Sequence, residues 1–450
     1  MSNEISSNFN FSKSISNYGM FGILILLCIF FSIMTVRDQF PTGQDAGKSV
    51  AKILFHYPHD AGVLIITGET VEDSLFSTSL NKMLLEKGFT PIKIISGDPA
   101  RIRNQINALP DSDKFTIIAP SFAAAPTTFF IIREMLKYQR AIVVPPPSHR
   151  WPTFLLPDNL RNVANQISVI AIIAIGMTMV IITAGIDLSV GSLIALSAVV
   201  TAWLVGRFGG ESASMWGMIL AGFGGILICA GIGAFSGLMI TGFRIPPFIA
   251  TLAMMQVAAG LGYVISQGKP IYHLPDSFIL LGRGDEPFLK IPYAVILMIV
   301  LYIVAHILMT RTTTGRYIYA VGGNAEAARL AGIRVKPIIF FVYALCGLLA
   351  GLSGVVMASQ LKSGAPTYGL SYELYVIAAV VVGGTSLSGG EGRIFGTLIG
   401  AFIISVIQNG MNLTNVESYT QKIVLGLVIL GAVLLDRLKQ QGLRMRKMAG

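Results

Sequence analysis

Two hydrophobic patterns alternate along this chain. From Gln166 onward, long apolar runs follow one another, separated by short polar or glycine-rich turns: Ile167–Thr183, Leu188–Val205, Trp216–Ile240, Phe248–Ser266, Pro292–Met309, Ile338–Ser359, Leu374–Leu387, Ile394–Met411 and Lys422–Leu435. An earlier run, Tyr18–Val36, has the same character. Runs of this length match the hydrocarbon core of a bilayer, so the pattern predicts about ten transmembrane helices. The Leu374 run is short and is expected as a broken or re-entrant helix.

Residues 37 to 155 follow the other pattern. Hydropathy falls and charges of both signs mix. Ala61–Gly68, Pro91–Asp98, Lys114–Ser121 and Ala141–Pro147 read as strands. Glu72–Lys87, Ala100–Leu109 and Thr127–Tyr138 read as helices between them. Strands alternating with helices imply parallel crossovers and a small α/β layer fold, long enough to form its own core. The fold class expected is therefore an all-α polytopic membrane protein with a small inserted α/β domain between the first and second spans. Residues 1–36 form a tail and first helix, 37–155 the insert, and 156–450 the membrane domain. Residues 1–17 are polar and rich in Ser and Asn, the mark of a disordered head. The first apolar run resembles a signal peptide in length. Its flank is barely basic and IMTVRDQFP offers no cleavage site, so it reads as retained.

Composition agrees. The chain of 450 residues is 53% hydrophobic and only 12% charged, where soluble domains carry about 25% charged residues. The net charge of +10 clusters at span ends, where Lys and Arg set topology and meet anionic lipid; this argues against nucleic acid as partner. The segment 310–337 holds Arg311, Arg316, Arg329, Arg334 and Lys336 against Glu326 alone, and the tail DRLKQQGLRMRKMAG is also basic. Starting from an inside N-terminus, both fall on the cytoplasmic side and the insert on the outer side. Cys28, Cys229 and Cys346 all sit in apolar runs; no metal-ligand spacing and no catalytic constellation is present, so neither metal, cofactor nor enzymatic activity is expected.

Within 310–337, Gly322 and Gly323 supply a turn, Asn324 a helix cap, Ala325–Leu330 a short helix and Gly332 its end. This is either a lever for a partner protein or a plain loop whose charges fix topology. Asp187, in TAGIDLSVGS, is either a cap for the next helix or a solute contact. GGTSLSGGEGRIFG (Gly383–Gly396) favours tight turns over a phosphate cradle, since no GKS/T follows. Glu373, Gln408 and Asn409 line a hydrophilic path or join helices by hydrogen bonds.

Four stretches carry a resemblance: MTMVIITAGIDLSVGS (Met177–Ser192), IPPFIATLAMM (Ile245–Met255), GRYIYAVGGNAEAARLAGI (Gly315–Ile333) and Glu373–Leu413. Together they resemble the ribose-type sugar permeases of bacterial ATP-binding-cassette importers. The resemblance implies a multi-pass subunit of the bacterial cytoplasmic membrane, without catalytic residues of its own. Implied partners are P-loop ATPase subunits, an extracytoplasmic sugar-binding protein and a second permease copy, as homodimer or pseudo-dimer. Gly323, Asn324, Glu326, Ala327, Ala328, Arg329 and Gly332 then look like a coupling helix that docks on the ATPase, with Glu326 and Arg329 pairing across the joint. Asp187, Ser189, Thr251, Glu373, Gln408 and Asn409 are carried over as translocation-path or gating candidates. The insert is a departure; its pattern is similar to one lobe of a periplasmic sugar-binding protein, with ligand contacts expected in loops Gly68–Asp73 and Ser121–Pro126. The alternative reading is a membrane sensor with an external α/β ligand-binding domain.

Overall fold

A computed structural model describes residues 19–110, 115–134 and 141–448, with side chains for all of these except 132–134 and 435–448. The expected polar head 1–17, the helix end at 135–138 and the charges of the tail lie outside the described residues and side chains. The chain divides into two compact units, Val36–Thr153 and the remainder.

The Val36–Thr153 unit is a layered α/β fold. Strands β2 (Gly62–Thr67), β3 (Ile92–Ser96), β4 (Phe115–Pro120) and β5 (Ile142–Val143) form a parallel sheet in the order β3-β2-β4-β5. At its centre Ile65 of β2 pairs with Ile94 of β3 and Ala119 of β4. Alternate side chains of β2 enter opposite cores. Val63 and Ile65 pack with Val50, Leu54, Phe76, Leu80 and Leu84 of α2 (Gly43–Leu54) and α3 (Val71–Glu86). Leu64 and Ile66 pack with Ile102, Ile106 and Ile131 of α4 (Pro99–Asn107) and α5 (Ala125–Glu134). Helix α2 was not among the expected elements, although Ala46, Val50, Ala51 and Leu54 share its buried face. The last strand is only two residues long because prolines 145–147 cannot donate to a ladder. A separate antiparallel pair joins β1 (Val36–Gln39) to β6 (His149–Pro152).

The other unit is helical. Among the described residues, seven helices are long and apolar enough to cross a membrane: α6 (Pro157–Ile182), α7 (Val190–Arg207), α8 (Met215–Gly242), α9 (Pro247–Ser266), α11 (Tyr293–Arg311), α14 (Val335–Leu361) and α16 (Ile394–Leu413). Three further apolar helices are shorter: α1 (Gly19–Met34), α15 (Tyr372–Val382) and the apolar part, Ser418–Leu434, of α17 (Ser418–Met448). Small helices α10 (Leu280–Arg283), α12 (Thr313–Gly323) and α13 (Ala325–Leu330) lie in connections. This is a polytopic membrane protein.

Helix α6 is the axis. Every residue from Ile167 to Ile182 is buried, so a helix apolar on all sides is surrounded by protein rather than lipid. Helix α14 crosses close to α8, where Gly233 and Gly347 meet backbone to backbone. The expected break at the Leu374 run has a definite form. Before α15 the chain runs unwound beside α7, with Gly364 against the carbonyl of Ala198 and Gly369 against that of Gly191. Only the eleven residues of α15 are helical there. Backbone without helix is tolerated there because protein surrounds it.

Candidate coupling and translocation site

Helix α13 is short and would not hold without its ends. Asn324 supplies the first end: its side-chain oxygen accepts from the N–H groups of Glu326 (3.0 Å) and Ala327 (2.9 Å). Gly332 supplies the other, at φ +85°, while the N–H of Ile333 closes back onto the carbonyl of Ala328 at 3.0 Å. Ala328 is buried and faces inward, whereas Leu330 is 81% exposed. Glu326 and Arg329 form an ion pair with each other, both largely exposed. In the isolated chain they therefore do not reach across a joint; their i,i+3 spacing puts them side by side on one helix face.

The end of α12, which leads into this helix, is seated through glycine. A Cβ on Gly322 would lie 1.6 Å from the carbonyl oxygen of Ile182. That same carbonyl accepts from the N–H of Gly390 at 2.8 Å, and a Cβ on Gly389 would meet the carbonyl of Gly322 at 2.8 Å. The glycine-rich loop 383–396 thus joins the end of α12 to the end of α6 by close backbone approach. Tyr319 adds a hydrogen bond to the carbonyl of Gly392 at 2.8 Å.

From Ile182 the chain continues as the loop that carries Asp187. One carboxylate oxygen, Oδ1, accepts from the N–H (2.9 Å) and hydroxyl (2.6 Å) of Ser189. Ser189 precedes α7, whose first turn receives no side-chain cap. Asp187 thus locks the turn before the helix rather than capping the helix itself. Its other oxygen, Oδ2, is buried without a hydrogen-bond partner. Burial raises the Asp187 carboxyl above the ordinary carboxylate range, and Ser189 only partly opposes it. Cys346 lies beside the carboxyl, and the buried, unpartnered hydroxyl of Tyr343 packs against Gly185. Sequence reasoning read Cys346 as packing and passed over Tyr343; a phenol in an apolar run was the available signal, since its hydroxyl needs a partner when buried.

The hydroxyl of Thr251, near the start of α9, donates to the Pro247 carbonyl of its own helix at 2.9 Å and lies 3.2 Å from the carbonyl of Ile186. The half-buried carboxyl of Glu373 rests against Gly191 in the first turn of α7. Asp187, Ser189, Thr251 and Glu373 are therefore gathered around the start of α7. Gln408 and Asn409 are not part of this group. Asn409 is locked in a reciprocal amide pair with Asn159 of α6, at 2.8 and 3.0 Å, which accounts for its polarity by helix–helix hydrogen bonding. Among the described residues no group of His, Cys, Asp and Glu is placed to hold a metal ion.

In the α/β unit, loops Gly68–Asp73 and Ser121–Pro126 meet at the carboxyl ends of β2 and β4, where the strand order reverses. A cleft of about 180 Å³ lies there, lined by Thr42, Thr70, Glu72, Ser121 and Phe122. Asp73 at its base is 4% exposed and accepts from the Ser121 hydroxyl at 2.5 Å and the Thr70 hydroxyl at 2.6 Å.

Comparison with known proteins was informative for the helical unit. Residues 159–433 match the family described as branched-chain amino acid transport system / permease component. The chain is 46% identical over 293 residues to the ribose import permease protein RbsC of Escherichia coli (strain K12), covering 64% of this chain and 88% of that protein. It is 47% identical over 290 residues to RbsC of Bacillus subtilis (strain 168), covering 64% and 87%. The L-arabinose transport system permease protein AraH of Escherichia coli (strain K12) is 36% identical over 293 residues, covering 65% and 87%. No solved structure matches the chain.

Proposed function

Because the chain belongs to the branched-chain amino acid transport system permease family, we propose that it is the membrane-spanning subunit of an ATP-driven sugar importer. It is a multi-pass protein of the bacterial cytoplasmic membrane. The names of its relatives, which import ribose and L-arabinose, favour an aldose or a sugar-like polyol as cargo. The sensor alternative is given up, since the matched family is one of permeases.

ATP hydrolysis belongs to P-loop ATPase subunits on the cytoplasmic side, and cargo arrives on an extracytoplasmic sugar-binding protein. Two copies of the permease, identical or related, face each other and alternate between outward and inward openings. In this reading there are ten crossings, with α1, α15 and α17 completing the seven longer ones. Segment 310–337 faces the cytoplasm. The Val36–Thr153 unit faces outward and serves as a tethered docking or accessory domain for the binding protein.

The observation that carries the coupling role is the capped α13, which directly follows the end of α12, where Gly322 is seated against Ile182 and Gly390. Closure of the ATPase pushes Gly323, Asn324, Glu326, Ala327, Ala328, Arg329 and Gly332 as one piece. The seat passes the displacement to the end of α6 and into the Asp187 loop. Ser189, Thr251 and Glu373 meet that loop or the start of α7, where a shift changes the path between the copies. Co-purification with a P-loop ATPase, together with uptake of labelled pentoses, hexoses and polyols into proteoliposomes, tests the assignment. No ATPase partner and no ATP-dependent uptake of any sugar would refute it.

A further inference from the structure

The cleft of about 180 Å³ at the carboxyl edge of the α/β sheet holds more polar groups than its own folding uses. Thr70 and Asp73 close a capping box at the start of α3, and that box is complete without outside help. Ser121, from the loop after β4, nevertheless donates to the same carboxylate at 2.5 Å. Both hydroxyl protons are thereby committed to Asp73, so any further bond that Thr70 and Ser121 make is as acceptors. Glu72 and Thr42 line the same cleft, and among the described residues neither side chain has a hydrogen-bond or ion-pair partner. Thr42 and Gly43, at the start of α2, form the wall that faces α3 and the Ser121 loop. Phe76 and Phe122 add apolar ring surface; Phe122 is 46% exposed and is held by Phe40, stacked on it at 4.6 Å.

The electrostatics select a neutral occupant. The starts of α2 and α3 carry partial positive charge, but Asp45, Glu72 and Asp73 in those same turns already answer it, which disfavours an anion. Asp73 in turn is enclosed by donors from Thr70 and Ser121, which leaves Glu72 as the one open carboxylate of the lining, too little for a buried cation. What remains is a set of hydrogen-bond acceptors around an aromatic surface. The volume lies below the ~300–1,000 Å³ of pockets for drug-sized ligands, so the occupant is no larger than a single sugar ring.

We propose that this cleft binds a neutral polyhydroxy molecule, a monosaccharide or a short polyol. Its hydroxyls donate to Glu72, Thr70 and Ser121, and its C–H face rests on Phe122. Such a ligand brings several O–H donors and an apolar face in one small body, the combination that the lining offers partners for. The α/β unit then holds cargo itself, on the same polypeptide as the path, besides any docking role. The choice of sugars as ligands rests on the importer reading above; the site itself rests on the cleft alone.

Hydrogen exchange of the full chain in lipid nanodiscs tests it, read by mass spectrometry with D-ribose, L-arabinose, D-glucose or ribitol added. Choline and inorganic phosphate serve as the charged probes. At least one polyhydroxy compound should protect the peptides spanning 68–76 and 119–126, with a dissociation constant of about 1 mM, as befits so small a ligand. Glu72→Gln should weaken that protection about tenfold, the loss of one charge-assisted contact, and Phe122→Ala should weaken it to a similar extent. Ligand-free exchange in β2 should be the same in both variants as in wild type, which shows that the unit is folded. Protection by none of the four compounds, stronger protection by choline or phosphate, or unchanged affinity in both folded variants would each overturn the proposal. The importer reading is scored separately, by uptake into proteoliposomes. Uptake without protection at the cleft removes this site and leaves the importer; protection without uptake of any sugar does the reverse.

Discussion

The N–H of Gly390 donates to the carbonyl of Ile182 at 2.8 Å, joining a glycine loop to the end of α6, the most buried of the seven long apolar helices among the described residues. The same carbonyl leaves no room for a side chain on Gly322. Gly323, its neighbour, has nothing within 4 Å of an added Cβ. Gly322→Ala must therefore separate backbone from backbone, at a cost of ~1–3 kcal/mol. A thermal melt of the purified protein should show a drop of several degrees for Gly322→Ala and a much smaller one for Gly323→Ala. Equal melting of the two variants would contradict the described seat.

The ends of α13 give a second test. Asn324→Ala removes the acceptor of two N–H groups and should weaken this helix by ~1 kcal/mol. Gly332→Pro demands φ near −65°, against the +85° observed. Glu326→Arg replaces the ion pair with two like charges in one turn. In the assembled transporter, Gly332→Pro and Glu326→Arg should keep ATP hydrolysis while sugar uptake falls at least about tenfold, the loss expected when a ~1.4 kcal/mol coupling term is removed. Wild-type uptake in both would refute the coupling role.

Asp187 offers a test by pH. Burial raises its folded-state pKa, so the protonated form is favoured in the folded protein. The sign follows from linkage. A raised folded-state pKa means this group's stabilising contribution is present below its unfolded value of about 4 and is lost as pH rises toward the folded-state value. Asp187→Asn keeps the shape and one acceptor without the charge. The melting temperature of Asp187→Asn relative to wild type should therefore rise between acid and neutral pH. A pH-independent difference would show that the carboxyl is not strained by burial.

Asp73 behaves in the opposite sense. Burial alone would raise its carboxyl, but donors from Ser121, Thr70 and Gly68 outweigh this and hold it below the ordinary range. Its contribution is thus present above the usual carboxylate value of about 4 and is lost as pH falls through the lower folded value. Asp73→Ala should destabilise the α/β unit by ~2–3 kcal/mol, as expected for lost charge-assisted hydrogen bonds. Hydrogen exchange in β2 and β4 should report it, with the gap between wild type and variant narrowing below about pH 4.

The role proposed for the α/β unit is tested by removing residues 45–150. Uptake should fall while assembly with the ATPase and its basal hydrolysis persist. Unchanged uptake would remove the docking role.

Much of this architecture was legible in order of residues alone. Apolar runs of spanning length, basic segments at their ends and a mixed α/β pattern between them are local signals, set by hydropathy, charge and period within a short window. The cap at Asn324 and the stop at Gly332 are local for the same reason: both depend on side chains or conformations within four residues. Helix α2 went unread although the spacing of Ala46, Val50 and Leu54 puts them on one buried face, a local signal that was available. What only the tertiary structure decided is which distant groups meet. Asn409 and Asn159 are 250 positions apart and satisfy each other; nothing near either names the other. Gly322, Ile182 and Gly390 form one seat, and Asp187 lies beside Tyr343 and Cys346, because α6, α14 and the glycine loop pack together. Close packing is a property of the assembled helices, and a linear pattern carries only the small residues that permit it.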